Sequence, residues 1–268
     1  GAGTIITETV KIIPIVNYNL QIGGVQVTNA NCANLSDISG VSGTVTYNHG
    51  TQTLTLNDAT ISVTGEVNGI RSDIDGLKIE VVGTNNNVSS NGWAAIQFNN
   101  SGTIMGGGML TASNSANNFA IFAYQAASLT IKDCYVSATA GKRGIAGWNT
   151  GETLTINNAA VKATGTTEGS ITGFNSITLT GCSLVAPSGA KIYGGSVTDA
   201  DNNILKTEVE TVRTASYGLV ICGVHVTGLN KDDLKGIPGV TGTSATYNPY
   251  TKTLRLEDAN ISVTTAVN

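Results

Sequence analysis

Residues 128–185 read SLTIKDCYVSATAGKRGIAGWNTGETLTINNAAVKATGTTEGSITGFNSITLTGCSLV, and the phrase L-T-[IL]-x-x-[AC] returns through them at Leu129, Leu154 and Ile177. Working outward, the same phrase starts at Leu54, Leu77 and Ile104, so the spacings along the chain are 23, 27, 25, 25 and 23 residues. A second apolar column follows it at Ile61, Val88, Leu110, Val136, Val161 and Leu184, and a third at Ile70, Ile96, Ile121, Ile145, Ile171 and Ile192. Gly, Asn, Ser and Thr separate the runs. Three short strands in each unit of about two dozen residues, recurring six times, predict an all-β fold: a right-handed parallel β-helix of about six coils.

The physical reason is stacking. One coil of three short strands cannot bury its apolar side chains alone, but coils piled at the strand spacing align them into interior columns. Six coils at about 4.8 Å make a rod of roughly 29 Å. The Gly and Asn residues between strands suit corners that need positive φ.

A longer repeat frames the short one. Tyr18–Asn68 returns as Tyr217–Asn268, with Val25 matching Val224, Leu35 Leu234, Gly43 Gly242, Tyr47 Tyr247, Asp58 Asp258 and Ile61 Ile261. An open β-helix end exposes unpaired backbone and an apolar cross-section, so these copies are expected to be β-rich caps at both ends. Residues 1–50 are read as an N-terminal cap with alternating runs at Thr9–Ile15 and Leu20–Val27, a helical turn near Ala33–Ile38, and a hairpin through Asn48-His49-Gly50 into Leu54. Residues 51–203 are the β-helix, closing in a hairpin about 199–203. Residues 204–268 are the second cap copy with its first coil, either covering the far end or opening a second module.

Composition narrows the partners. Gly (33), Thr (37) and Asn (27) fill more than a third of the 268 positions, a turn-and-strand vocabulary too poor in helix formers for a bundle. With 14 basic and 18 acidic side chains and no basic run beyond Lys142-Arg143, nucleic acid is not an expected partner. No apolar stretch approaches the roughly 18 residues of a membrane-spanning helix. The four cysteines have no metal-ligand spacing; Cys134 and Cys182 share an interior column with Ala59 and Ala159, two coils apart, and are expected to be free packed thiols.

The internal repeat serves as a control on candidate chemistry. His225 stands where the first copy has Gln26, and His49 where the second has Pro249, so both read as structural or solvated residues. Asp58 and Asp133 share one coil phase, with Asn158 and Gly181, but lie roughly 14 Å apart, too far for an acid–base pair. Their expected work is bonding backbone at corners. Asp73 and Asp75 are a weak candidate for a cation, the plain alternative being an Arg71–Asp73 surface pair. No cofactor is expected.

Aromatic placement is the irregular feature: every Phe and Trp lies between Trp93 and Phe174. Tyr124, Trp148 and Phe174 each fall three residues after Ile121, Ile145 and Ile171, which stacks them into a ladder. Facing outward, the ladder suits the apolar faces of sugar rings, with Gln125, Asn149 and Asn175 able to bond hydroxyls; facing inward, it seals a corner.

The phrases GVQVT (24–28), GVSGTVTYN (40–48), QTLTLNDATISV (52–63), IDGLKIEVVGTNNNV (74–88), SLTIKDC (128–134), ETLTINNA (152–159) and SITLTGCSLVAP (176–187) together resemble a family of secreted β-helix proteins of gut Bacteroidetes, often labelled carbohydrate-binding or adhesin-like. The resemblance implies export to the periplasm or cell surface, and it carries over no catalytic residues. The expected function is therefore a non-enzymatic surface or secreted binding module for glycans or a host protein. A polysaccharide lyase or glycoside hydrolase, and a structural spacer of the cell envelope, are the rival readings.

Overall fold

A computed structural model describes residues 13–263. The predicted run Thr9–Ile15 lies mostly outside them. The chain opens with β1 (Asn17–Ile22), β2 (Val25–Thr28) and β3 (Val41–Asn48), with a short 3₁₀ turn at Leu35–Asp37. Five turns follow. The first is β4 (Thr53–Val63) and β5 (Ile70–Ser72); the second β6 (Leu77–Val82), β7 (Asn86–Ser90) and β8 (Ala94–Phe98); the third β9 (Gly102–Met105), β10 (Met109–Asn114) and β11 (Phe119–Ala123). The fourth is β12 (Ser128–Lys132), β13 (Tyr135–Ala140) and β14 (Arg143–Ala146), and the fifth β15 (Thr153–Asn157), β16 (Ala160–Gly165) and β17 (Gly169–Thr172). After them come β18 (Ser176–Thr180), β19 (Cys182–Ala186), β20 (Lys191–Tyr193), β21 (Ser196–Thr198) and β22 (Val209–Arg213). The second copy holds β23 (Val220–Ile221), β24 (Val224–His225), β25 (Val240–Thr241), β26 (Ser244–Asn248), β27 (Thr253–Glu257) and β28 (Asn260–Ile261).

The architecture is the expected all-β right-handed parallel solenoid. Its three faces are β4-β6-β9-β12-β15-β18, β4-β7-β10-β13-β16 and β5-β8-β11-β14-β17, each parallel throughout. β4 serves two faces because it turns at Asp58, whose φ is 45°. The third apolar column forms from Ile70 through Ile96, Ile121 and Ile145 to Ile171, and Ile22 of β1, outside the sequence reading, extends it at the start.

Two details differ from the sequence reading. Leu54 sits beside Ile79 rather than Leu77, and Ile104 beside Ile131 rather than Leu129; likewise Val88 meets Ala112, while Leu110 meets Asn86. Each shift is two residues, and a two-residue slip returns every side chain to the same face, so the interior set is unchanged. Leu77 and Leu129 face Gly102, where the Phe98 ring occupies the space a side chain would need. Asn86 is a buried polar member of its column; it accepts from Ala59 N–H and donates to the Val82 and Met109 carbonyls, so burial leaves it satisfied.

The coil count is five rather than six, because the sixth coil starts and breaks. β18 still stacks on β15, but β22 enters antiparallel between β16 and β19, and Leu184 faces Thr211. Ile192 leaves its column for the β20–β21 hairpin and is 37% exposed. That hairpin covers the third face at this end: Val197 joins the core and the Thr172 and Ser196 hydroxyls bond at 2.7 Å. At the other end β1 pairs antiparallel with β5 and β3 with β4, so Leu20, Leu35, Val45 and Tyr47 extend one continuous core. The second copy has its own small core around Ile221, Val226, Leu234 and Ala245, and meets the flank of the solenoid where Tyr250 stacks edge-on against Tyr135 at 5.7 Å.

At the corners Asp58 bonds backbone as expected, whereas Asp133 bonds a side chain. Asp58 accepts from the Thr84 and Asn85 amides of the next turn, and Asp133 accepts from the Asn158 side chain at 2.6 Å. Cys134 and Cys182 are buried free thiols.

Candidate functional site

Along the third face, each inward Ile is followed by a residue on the outer side, since side chains alternate. That outer column runs Gln21, Arg71, Gln97, Phe122, Ala146 and Thr172, in register across six strands. It changes from polar to aromatic between the second and third turns. Phe122 and Phe119 stack at 4.5 Å, forming with Ala94 and Ala146 a buried apolar cluster separate from the interior core. Trp93, 44% exposed, and Trp148, 38% exposed, roof this cluster edge-on at 5.5–6.4 Å and lie 6.1 Å from each other. Aromatic pairs prefer such tilted contacts over face-to-face sandwiches.

The loop bearing Trp148 is held from both sides. Before it, Arg143 donates to the Gly147 carbonyl at 2.9 Å and pairs with Glu168 at 2.8 Å. After it, the buried Glu152 carboxylate accepts from the Trp148 amide (3.1 Å), the Thr150 amide (2.8 Å), the Thr150 hydroxyl (2.5 Å) and the Ala126 amide (3.2 Å). Burial pushes this carboxyl up, but the hydrogen bonds from Thr150 and its neighbours outweigh it and hold the group below its ordinary value. Lys142 completes the surround, its Nζ 5.4 Å from the Phe119 ring centre and 3.2 Å from Glu168.

Beside the two indoles lies a cavity of about 270 Å³ lined by Trp93, Gln97, Phe122, Tyr124 and Trp148. A second, of about 390 Å³, shares Trp93 and Gln97 with it and is mostly polar otherwise, reaching Asn68, Glu66, Arg71 and Gln21, with Val67 and Gly24. Amides knit this second part together: Asn68 donates to Gln97 at 2.6 Å, Gln97 to Asn99 at 2.6 Å, and Asn99 to Asp73 at 2.6 Å. Arg71 Nε is buried there without a partner among the described residues. A crevice of about 490 Å³, between the second copy and the β10–β13–β16 flank, is lined by Tyr135, Tyr247, Tyr250, Met109 and Val212, and its charges pair internally, Lys162 with Glu210 and Lys231 with Asp232.

Of the expected ladder, Tyr124 and Trp148 come together, with ring centres 6.4 Å apart and nearly perpendicular. Phe174 does not join them. It is 3% exposed and belongs to the interior core, because the closing hairpin lies directly on its backbone, Gly195 accepting from Phe174 N–H at 3.1 Å. Gln125, Asn149 and Asn175 are exposed corner residues outside the cavity lining; Gln125 and Asn149 have φ of 57° and 60°, the turn geometry Asx-type residues tolerate. The polar side chains that line the two cavities are Gln97, Asn68, Arg71, Gln21 and Glu66. Arg71, Gln97 and Phe122 stand one place after a column isoleucine, a position the sequence reading did not use, beside Tyr124 and Trp148 three places after.

Asp73 is engaged by Asn99 and faces Arg71 at 3.5 Å, so the plain surface pair forms, and Asp75 is exposed. Among the described residues no three His, Cys, Asp or Glu side chains converge as a metal site. His49 stacks on Tyr18 at 4.4 Å, and His225 meets the Ser216 hydroxyl at 3.1 Å. No described helix is long and apolar enough to cross a membrane. Neither family models, curated proteins nor solved structures give a match to this chain.

Proposed function

We propose that this protein is a non-catalytic module that binds a glycan along the outer side of its third face. The observation that carries the reading is the pair of half-exposed indoles, Trp93 and Trp148, in contact with each other on the wall of an aromatic cavity that shares Trp93 and Gln97 with a more polar one. Sugar rings have apolar faces that stack on aromatic side chains and rims of hydroxyls that amides and guanidinium groups bond. The polar column from Gln21 to Phe122 covers three rungs, about 14 Å, which suits an extended ligand lying across the turns. Rigid positioning of Trp148 by Arg143 and Glu152 lowers the ordering cost of binding. Of the charged groups around the groove, Glu168 is spent on Lys142 and Arg143, Glu152 on backbone amides, and Asp73 on Arg71 and Asn99, while Glu66 lines the groove with no ion pair among the described residues. A solenoid presenting such a row fits display outside the cell, where polymeric glycans are met.

Indole emission reports the site directly. Titration with oligosaccharides from plant and host polysaccharides is expected to shift the fluorescence, and Trp148→Ala or Trp93→Ala to abolish binding on a glycan array. Silence across a broad array together with unchanged emission at saturating saccharide refutes the reading; release of reducing ends or unsaturated products would replace it with a cleaving enzyme.

A further inference from the structure

The second copy of the long repeat reproduces the strand on which the first solenoid is built, but without a coil on it. β26 and β27 keep the register of β3 and β4: Ala245 faces Leu256 as Val45 faces Leu56, Tyr247 faces Leu254 as Tyr47 faces Leu54, and Asn248 faces Thr253 as Asn48 faces Thr53. The backbone agrees as closely. Asp58 and Asp258 have φ of 45° and 47°, and Gly43 and Gly242 approach those residues' carbonyls so closely that a Cβ would stand 2.3 Å away in both copies.

What lies on the free edge differs. In the first copy, β6 and β7 pair in parallel with β4, placing Ile79 beside Leu54, Val81 beside Leu56 and Val88 beside Ile61, and all three β4 side chains are fully buried. In the second copy, among the described residues, β27 pairs only with β26, and β28 only with β25. Leu254 is 37% exposed, Leu256 46%, Ile261 40% and Val263 53%. A polar feature agrees with the apolar one. Asp58 Oδ1 accepts two backbone amides from the corner of the following turn, Thr84 at 3.0 Å and Asn85 at 3.1 Å. Asp258, in the same conformation, meets the Thr243 hydroxyl at 3.5 Å and no backbone amide among the described residues.

We propose that the free edge of β27 and β28 is the seat of a further parallel solenoid coil supplied by the same chain, in the register that β6 and β7 take on β4. Its strand would set branched aliphatic side chains beside Leu254 and Leu256, and its corner would turn two amides onto Asp258. Exposed strand edges with apolar stripes are templates for pairing, and the first copy specifies which pairing this sequence supports. The proposal is independent of the glycan reading.

The test repeats residues 69–205 after Asn268, the counterpart of Asn68, and follows amide hydrogen exchange in 253–261. Protection of these amides is expected to rise by at least about a hundredfold over the parent chain, as strand edges become interior rungs. Leu256→Lys is expected to cancel that gain in the extended chain while leaving the parent's melting unchanged, since the side chain is exposed there. A one-turn extension with residues 69–98 alone is read in parallel. Failure of both extensions to protect β27, whether through misfolding or packing elsewhere, overturns the proposal. So does concentration-dependent protection in the parent accompanied by dimers in light scattering, which would make a second copy the occupant.

Discussion

Replacing Glu152 by Gln tests how the Trp148 platform is built. The carboxylate presents Oε1 to the Ala126 amide and Thr150 hydroxyl, and Oε2 to the Trp148 and Thr150 amides. A glutamine keeps one oxygen. Turned toward the two backbone amides it retains them as neutral bonds, and the Thr150 hydroxyl can reverse to accept from its NH2, but the Ala126 amide is left opposing a donor. Loss of charge assistance plus one unsatisfied buried amide costs about 2–3 kcal/mol. For a chain of this size that lowers Tm by about 4–12 °C.

The pH dependence carries a definite sign. The folded carboxyl is held below its ordinary value of 4.5, so its contribution is fully present above that value and is lost as pH falls through the folded pKa. The difference in Tm between Glu152→Gln and the parent should therefore be full near neutral pH and close on acidification below about pH 4. Circular-dichroism melts across pH measure it, and Trp148 emission in the variant should move to the red as its loop loosens. A difference within about 1 °C at neutral pH, or one that ignores pH, refutes the assignment of Glu152 as the anchor of this loop.

Phe174→Ala should cost about 3–5 kcal/mol in denaturant unfolding yet leave any saccharide response intact, whereas Trp93→Ala should remove the response with a much smaller stability loss. Gly195→Ala should destabilise by more than about 3 kcal/mol, because φ is +70° and a Cβ would stand 1.6 Å from the Phe174 carbonyl; Gly189→Ala, at φ +81° in open space, should cost only about 1–2 kcal/mol in the same melts. Burial pushes the Cys134 thiol up to about 12 and raises that of Cys182, so a thiol reagent at mild alkaline pH should titrate only Cys32 and Cys222 until denaturant is added. Asp58→Ala should lose about 1–2 kcal/mol through the Thr84 and Asn85 amides, while Asp58→Asn, which keeps an acceptor and tolerates positive φ, should stay within about 1 kcal/mol of the parent.

Much of the solenoid was legible because its determinants are local and repeated. Alternating side chains in each unit declare an inward face, and a period near two dozen residues declares stacking, so the isoleucine column from Ile70 to Ile171 could be read without coordinates. The paired half-site was partly legible for the same reason: Tyr124 and Trp148 share a coil phase. Phe174 shares it too and still turned inward, because exposure at the last rung depends on which hairpin closes the rod, and that is a contact between segments rather than a property of the repeat.

From the repeat alone one could read the fold class, the interior columns of the complete turns and the corners that need Asp, Asn or Gly, all consequences of periodicity and backbone sterics. Tertiary structure alone decided the two-residue register steps, the breaking of the sixth coil by β22, and the outer column that joins Gln97 and Arg71 to the indoles. Register slips of two leave the buried pattern unchanged, so hydrophobicity cannot choose between them; loop lengths and cross-turn hydrogen bonds do. The groove belongs to side chains about 25 residues apart that become neighbours only once the turns are stacked.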